Sequence, residues 1–71
     1  MTGVRQGDIV RFQADESTWF YCRVDEVLDG GDVLCEIVDT QSWANLALAG
    51  YLPGRQYHMP EGSVLSIVAH E

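Results

Sequence analysis

The sequence predicts a small all-β domain made of five short strands. Three observations lead to this fold class: short segments in which apolar and polar residues alternate, an abundance of β-branched and aromatic residues in those segments, and glycine-containing turns between them. The chain has 71 residues, of which 46% are hydrophobic, so it is long enough for one domain and can build a core. We therefore expect residues 1–71 to fold as a single domain.

The first two strands are expected at residues 7–14 and 18–28, with a turn at residues 15–17 between them. In the first segment Val10 and Phe12 point to one face, because successive side chains of a strand alternate between the two faces of a sheet. The second segment is rich in aromatic and β-branched residues, which favour strands.

A β-hairpin is predicted to join the second strand to a third strand at residues 33–39. Gly30-Gly31 lies between the two segments, and a type I′ turn needs a positive φ at both of its central residues. With these glycines as a two-residue loop, the expected pairs are Leu28 with Val33, Glu26 with Cys35, Asp25 with Glu36, Val24 with Ile37, and Cys22 with Asp39. This register points Glu26 towards the core, from which a strand bulge or a position at the rim of the barrel would release it.

The two faces of this hairpin have different expected roles. One face joins the core: Cys22, Val24, Leu28, Val33, Cys35 and Ile37. The other face is also largely apolar and carries Trp19, Tyr21, Arg23, Val27, Leu34 and Val38, so it is either covered by the same chain or used for a partner. Cover by residues 41–57, which would bury Trp43, Leu46 and Leu48 there, is the favoured alternative. The register separates Cys22 from Cys35 by roughly 13 Å along the strands, so we expect two free thiols, as in a reducing cytosol.

Residues 42–49 are compatible with a short helix or with a strand. Ser42 as the N-cap and Gly50 as the C-terminal stop favour a helix. The alternation of Leu46 and Leu48 allows a strand instead, which would make this segment an extra hairpin.

The last two strands are expected at residues 55–59 and 64–68. The segment Pro60-Glu61-Gly62-Ser63 between them predicts a tight turn, for which a single 3₁₀ turn is common. In the last strand Leu65 and Ile67 are expected to point inward.

Five strands in this order, with a tight turn before the last, resemble the SH3-like barrel group, which includes Tudor and KOW-type modules. The segments Gly7-Asp8-Ile9-Val10, Trp19-Phe20-Tyr21-Cys22-Arg23-Val24 and Cys35-Glu36-Ile37-Val38-Asp39 are similar to the first three Tudor strands. The resemblance spans residues 7–39 and implies a five-stranded SH3-like barrel, with a short helix or extra hairpin in an insertion at 41–57.

The sequence departs from the Tudor pattern where Tudor modules build an aromatic cage. Their Asp-Tyr-Gly turn is missing, since Asp39 is followed by Thr40-Gln41-Ser42, and Ala14 stands where a cage tryptophan is common. Only Phe20 and Tyr21 match the cage. The resemblance therefore implies the fold and not the reading of methylated lysine or arginine.

Charge restricts the class of partner. Four basic residues, all arginine, stand against 11 acidic ones, which gives a formal net charge of -7. Such a chain lacks the cationic surface on which nucleic-acid affinity depends, and anionic membranes would repel it. The N-terminal residues have no apolar run typical of a signal peptide, and no segment has the length of a membrane span. We expect a cytoplasmic protein that is not a stand-alone nucleic-acid binder.

The sequence predicts no catalytic residue, metal site or cofactor. His58 and His70 are the only histidines, and neither they nor the two cysteines have metal-ligand spacing. The expected register sets each cysteine opposite an acidic residue, which raises a thiol's pKa. The paired acidic residues lie mostly at turns, where carboxylates are solvated. We therefore expect that the protein is not an enzyme.

Aromatic and acidic residues together indicate a protein-interaction or adaptor module. Exposed rings and carboxylates suit a partner that offers lysine or arginine, through charge pairing and cation–π contact. The residues expected to bind this partner are Trp19, Phe20, Tyr21, Trp43 and Tyr57, with the acidic residues Asp15, Glu16 and Asp39.

Two other functions stay open at this point. The chain could form a homo-oligomer with a small-molecule or enzymatic pocket between subunits, as in the type II dihydrofolate reductases, which are also short SH3-like chains. Gln56-Tyr57-His58-Met59-Pro60 stands where those enzymes have a Val-Gln-Ile-Tyr stretch, which is not reproduced here. Alternatively, an acidic chain could be a regulatory or inhibitory subunit that mimics the charge of a nucleic acid.

Overall fold

The structure is a computed structural model that describes residues 3–70. Its elements follow in the order β1 (Asp8–Gln13), β2 (Trp19–Val27), β3 (Val33–Thr40), α1 (Trp43–Leu48), β4 (Gln56–Met59) and β5 (Ser66–His70). A 3₁₀ turn at Glu61–Ser63 precedes β5. Within the described range, no helix is long and apolar enough to cross a membrane.

The five strands form one antiparallel sheet in the order β4-β3-β2-β1-β5. This confirms the predicted all-β class, the predicted strand order along the chain and the 3₁₀ turn before the last strand. The architecture is consistent with a small SH3-like barrel. Of the two alternatives for residues 42–49, the helix is the correct one.

One face of the sheet builds the core. Alternate residues of β1, β2 and β3 are buried there, as their apolar alternation predicts. The buried apolar residues are Val10, Phe12, Phe20, Cys22, Val24, Val33, Cys35, Ile37, Leu46 and Met59. The helix and β4 contribute one residue each to this cluster, so the first three strands carry most of the core.

The hairpin between β2 and β3 has a three-residue loop, which corrects the predicted register. The Leu28 N–H donates to the Asp32 carbonyl at 2.7 Å, and the Gly31 N–H donates to the Leu28 carbonyl at 3.0 Å. Leu28 therefore faces Asp32, and the predicted pairing of Leu28 with Val33 is wrong. Asp29 belongs to the loop together with the two glycines, which have φ values of 87° and 95°.

Two irregularities in the β2–β3 pairing, one between Tyr21 and Cys22 and one between Val24 and Glu26, shift the register further. Between Val24 and Glu26 a bulge takes up one residue, and Glu26 is exposed, as predicted for a bulge at this place. As a result Arg23, and not Asp25, lies opposite Glu36. Arg23 forms ion pairs with Glu36 at 2.7 Å and with Asp25 at 3.4 Å. The predicted like-charge pair is thus replaced by an arginine between two carboxylates.

The same shift brings the two cysteines together. Cys22 pairs with Ile37 and Cys35 pairs with Val24, so the cysteines are diagonal neighbours on the buried face. The predicted separation of the thiols is wrong, since diagonal neighbours on one face of a strand pair lie within about 8 Å of each other. Both are free and buried.

Helix α1 is short, and only one of its side chains reaches the core. Ser42 is its N-cap as predicted, with its hydroxyl accepting from the Asn45 N–H at 3.2 Å. Leu46 is fully buried in the core cluster, but Trp43 is 39% and Leu48 is 88% exposed. The predicted burial of Trp43 and Leu48 is therefore wrong, because a helix of six residues presents only one position to the core.

The predicted cover of the outer sheet face is also wrong. Leu46 belongs to the core cluster and Tyr51 packs against it. Strand alternation sets Phe20, inside this cluster, on the opposite side of β2 from Trp19 and Tyr21. The segment 41–57 thus closes the core side and leaves Trp19 and Tyr21 half-buried on the outer side.

Strand β5 differs most from its predicted environment. All five of its residues are exposed. Leu65, just before the strand, and Ile67 were expected to point inward but are 56% and 42% exposed. The reason is that β5 follows the edge of the sheet along β1, beyond the residues that fill the core.

At the end of β5, His70 forms a polar contact with the buried carboxylate of Asp8. Asp8 is 4% exposed; its Oδ1 lies 2.6 Å from His70 Nδ1, and its Oδ2 accepts from the Arg5 N–H at 2.8 Å. The hydrogen bond with His70 and then that with Arg5 lower the pKa of Asp8.

The carboxylate of Asp32 also has a lowered pKa, because the Glu61 N–H and His58 hydrogen-bond to it.

We expect the protein to lose stability in acid because of these carboxylates. A carboxyl whose pKa is lower in the folded than in the unfolded state stabilises the fold above its unfolded pKa, near 3.8, and this contribution disappears as pH falls through the folded pKa. Urea unfolding of the wild type at a series of pH values from neutral to below 4 measures the effect. Asp8→Asn should make the dependence below the unfolded pKa shallower; an unchanged slope would contradict the role of Asp8.

Candidate functional site

Two surfaces carry the exposed residues that the sequence singled out. The first, called here the aromatic face, lies on the outer side of β1, β2 and β3. Trp19 and Tyr21 contact each other edge to face, with ring centroids 5.1 Å apart. Arg11 and Asp39 are the cross-strand partners of Tyr21 on either side. The alternation of β2 brings these two aromatic rings to one side, as predicted.

An arginine of the chain itself already covers the tryptophan of the aromatic face. The guanidinium carbon of Arg11 lies 4.9 Å from the centroid of the Trp19 ring, a cation–π geometry. Arg11 Nε is buried and has no hydrogen-bond partner among the described residues. The ring of Trp19 therefore contacts a guanidinium group within the protein, and another cation would have to displace Arg11 to reach that ring face.

The second surface, called here the loop–helix groove, lies between the β1–β2 loop and helix α1. It contains a pocket of about 330 Å³ lined by Asp15, Ser17, Thr18, Asn45, Leu48 and Ala49. The three helix-side residues lie on one side of α1 because they are three and four positions apart. Thr18 is buried, while Leu48 is almost fully exposed. One wall is thus polar and acidic, and the other carries a solvent-exposed leucine.

Hydrogen bonds within the loop hold the carboxylate of Asp15 in place. Its Oδ1 accepts from the backbone N–H groups of Ser17 at 2.9 Å and Thr18 at 2.8 Å. The Ser17 hydroxyl donates to the same oxygen at 3.3 Å. These bonds, led by the one from the Ser17 backbone, lower the pKa of Asp15, so this wall is negatively charged at neutral pH.

Gln41 connects the two sides of the groove, and sequence reasoning missed it. Its Nε2 donates to the Ser17 carbonyl at 2.6 Å, and its Oε1 accepts from the Trp19 N–H at 3.3 Å. Thr40 adds a bond from its hydroxyl to the Trp19 carbonyl at 2.9 Å. A glutamine after a predicted strand carries no sequence signal for such a bridge, which depends on the distant β1–β2 loop. Gln41 thereby ties the β1–β2 loop to the connection that precedes α1.

The structure distributes the eight predicted binding residues over several places. Asp15 lines the groove and Glu16 is exposed beside it; Trp43 is 39% exposed on α1; Trp19, Tyr21 and Asp39 share the aromatic face. The predicted residues thus do not converge on one site.

Phe20 and Tyr57 lie away from both surfaces. Phe20 is 1% exposed and packs against the rings of Phe12 and Tyr51, with centroids 5.6 and 5.1 Å away, so its ring is not accessible to a partner. Tyr57 also contacts Tyr51, and its hydroxyl accepts from the Leu52 N–H at 2.7 Å. Both rings hold the segment 51–57 against the core.

The thiol of Cys22 is a poor nucleophile. Its interaction with the Cys35 thiol and then its burial raise its pKa, so it is protonated, and its burial makes it inaccessible. His58 Nε2 lies 2.9 Å from the carboxylate of Asp32. His58 is on β4 and His70 is on β5, the two opposite edge strands of the sheet. Among residues 3–70, no three His, Cys, Asp or Glu side chains are placed to hold a metal ion together.

Comparison of the chain with protein-family models, with curated proteins and with solved structures finds no match.

Proposed function

We propose that the protein is a non-catalytic interaction module that binds a basic segment of a protein partner at the loop–helix groove. One observation carries the proposal: the pocket sets the carboxylate of Asp15 against the exposed side chain of Leu48. Lysine and arginine have an apolar stem and a cationic end, so one such side chain would lie along Leu48 and reach Asp15. An apolar ligand would leave the negative charge of Asp15 without a counter-charge.

The charge of the whole chain supports a basic partner. A formal net charge of -7 attracts cationic segments at long range and raises their association rate. Glu16 is exposed next to the pocket and adds to the local negative potential. The same charge repels phosphate backbones and anionic lipid surfaces, so neither is part of the proposal.

The exposed aromatic residues would extend the contact beyond the pocket. Trp43 is two positions from Asn45 and five from Leu48, so it lies on another side of α1 than the pocket and offers its exposed surface only to a partner that extends around the helix. The contact of Arg11 with Trp19 is an internal example of the guanidinium–ring pairing that a partner's arginine would use. Aromatic residues are common at the centres of protein interfaces.

The Tudor-like pattern of residues 7–39 is compatible with peptide binding but not with an aromatic cage. Phe20, one of the two residues that match the cage, is buried in the core. We therefore propose recognition of an unmodified basic side chain, in which charge and the apolar stem provide the affinity.

Asp15→Asn is expected to weaken the binding of a basic peptide by roughly fivefold, which corresponds to one partly solvated ion pair of about 1 kcal/mol. The probes are short synthetic peptides of equal length: one with arginines separated by serines, one with lysines in those positions, and neutral and acidic counterparts. Fluorescence titration against each peptide gives the affinities. The basic peptides should bind most tightly, and more weakly as the salt concentration rises.

Asp29→Asn is the matched control, because it removes the same charge from an exposed residue of the β2–β3 hairpin. It should weaken binding much less than Asp15→Asn does. Equal losses in the two variants would show that only net charge matters and would overturn the groove as the site. Equal affinity of the basic and acidic peptides would overturn the proposed function itself.

A further inference from the structure

Strand β5 is the strand of the sheet in which every residue is exposed, apolar ones included. Ile67 is 42% and Val68 is 49% exposed, and Leu65 just before the strand is 56% exposed. Neither the core cluster nor the residues packed against it include any residue of β5. The strand is therefore attached through its backbone pairing and leaves its apolar side chains open to solvent.

Only one edge of β5 is paired within the part of the chain that the structure describes. It follows β1 at the end of the sheet order, so its other edge presents backbone N–H and C=O groups to solvent. The pairing with β1 passes from Ala69 directly to Ile67, which leaves Val68 without a partner on β1. Natural proteins protect such an edge with lysine, proline, an inward-pointing charge or a β-bulge, and the bulge at Val68 is the one of these devices that β5 has. The sequence of β5, Ser-Ile-Val-Ala-His, contains no lysine, arginine, acidic residue or proline.

We propose that two copies of this chain associate through β5, which pairs with its own symmetry mate in antiparallel orientation. A two-fold axis at Val68 sets Ile67 opposite Ala69 of the second copy and Ser66 opposite His70. No like charges face each other in this register, and the pairing continues the sheet from one copy into the next. The interface is isologous, so it closes at a dimer.

The charge pattern selects a second copy over the basic segment of the proposed function. Strand β5 has no acidic residue to attract a cation. The nearest acidic residue of β1 is Asp8, whose two carboxylate oxygens are occupied by His70 and the Arg5 N–H. An uncharged apolar strand fits another uncharged apolar strand, and the second copy supplies one. The dimer therefore does not depend on the loop–helix groove.

The dimer is expected to be weak. Pairing of two five-residue strands buries less than the roughly 1,200 Å² at which stable interfaces begin, which implies dissociation constants in about the micromolar to millimolar range. Each copy carries a net charge of -7, so the two copies repel each other at long range. Added salt screens this repulsion and should strengthen the dimer. Binding of a basic peptide should weaken under the same change.

Sedimentation equilibrium of the wild type, over concentrations from about 10 µM to about 1 mM, tests the proposal in the affinity range expected for small interfaces. The average mass should rise from one chain towards two, and more steeply in high salt. Val68→Lys should stay monomeric throughout, because an ammonium group at the two-fold axis would meet its own copy. Leu48→Lys is the matched control, since it introduces the same charge at an exposed position on α1 and should dimerise like the wild type.

Amide hydrogen exchange locates the contact without a substitution. Exchange of the amides of residues 66–70 should become slower as the protein concentration rises, while that of the helix amides should not change. A wild type that is monomeric at the highest concentration would overturn the dimer. So would a dimer that forms equally well with Val68→Lys, or one that Leu48→Lys abolishes. Because the groove binds its peptide as a monomer, loss of peptide binding leaves this result unaffected.

Discussion

Replacement of Leu46 by alanine is expected to lower the free energy of unfolding by about 2–5 kcal/mol. Leu46 is the only residue of α1 that is buried, and its exposed fraction is 0%. A helix of six residues is not stable by itself, so its position depends on this side chain. Domains have about 5–15 kcal/mol in total, and a chain of 71 residues belongs at the low end, so much of the variant should be unfolded at moderate temperature.

Leu48→Ala is the control for this prediction, because it makes the same substitution two residues away at a side chain that is 88% exposed. Its effect should stay within about 0.5 kcal/mol, as is usual for surface positions. Urea unfolding followed by circular dichroism and tryptophan fluorescence measures both variants. Equal stability of the two would show that Leu46 does not hold the helix on the core.

Phe20→Ala is expected to cost about 3–5 kcal/mol, the usual range for a buried phenylalanine. The ring is 1% exposed and lies between Phe12 and Tyr51, so it connects β1 with the segment after the helix. Its removal leaves a cavity at the point where these two parts of the core meet. We expect the variant to be largely unfolded and therefore unable to bind any partner.

The neighbouring substitution Tyr21→Ala separates a role in folding from a role on the surface. Tyr21 is half-buried on the aromatic face, where it contacts the edge of Trp19. Its loss should cost about 1 kcal/mol, near the centre of the distribution for single substitutions, and should leave the β-type circular dichroism spectrum intact. If Tyr21→Ala unfolded the protein as fully as Phe20→Ala does, the aromatic face would be part of the core.

The core of the first three strands could be predicted from the sequence because strand alternation is a local property. Val10 with Phe12, and Val24 with Cys35, share the buried face as their spacing indicates. The N-cap at Ser42 was predictable for the same reason, since its hydrogen bond spans three residues. The length of the Asp29–Gly31 loop was not, because Gly-Gly is compatible with two-residue and three-residue loops. That one-residue difference, together with the bulge between Val24 and Glu26, changed the partners of Arg23 and brought the cysteines together.

Of the residues that line the candidate groove, sequence reasoning had singled out only Asp15 as a binding residue. Acidic and aromatic residues indicated a surface for a basic partner, but composition does not distinguish a core ring from an exposed one. Phe20 and Tyr21 are adjacent and of similar character, and strand alternation places only the second on the outer side. The groove depends on Gln41, which joins the loop to the β3–α1 connection across a separation of 24 residues. No local pattern contains that contact.

The sequence by itself determined the charge, the strand-forming segments, the inward and outward positions of the first strands and the N-cap at Ser42, but it left helix and strand open for residues 42–49. These follow from side-chain chemistry and from backbone geometry over a few residues. Only the tertiary structure decided the hairpin register, the burial of Leu46 in preference to Trp43 and Leu48, and the exposure of β5. Those outcomes depend on which distant surfaces meet, because a side chain is buried only where another element covers it. Under the proposed function, the -7 charge would attract a basic segment, and the packing of loop and helix would set where that segment binds.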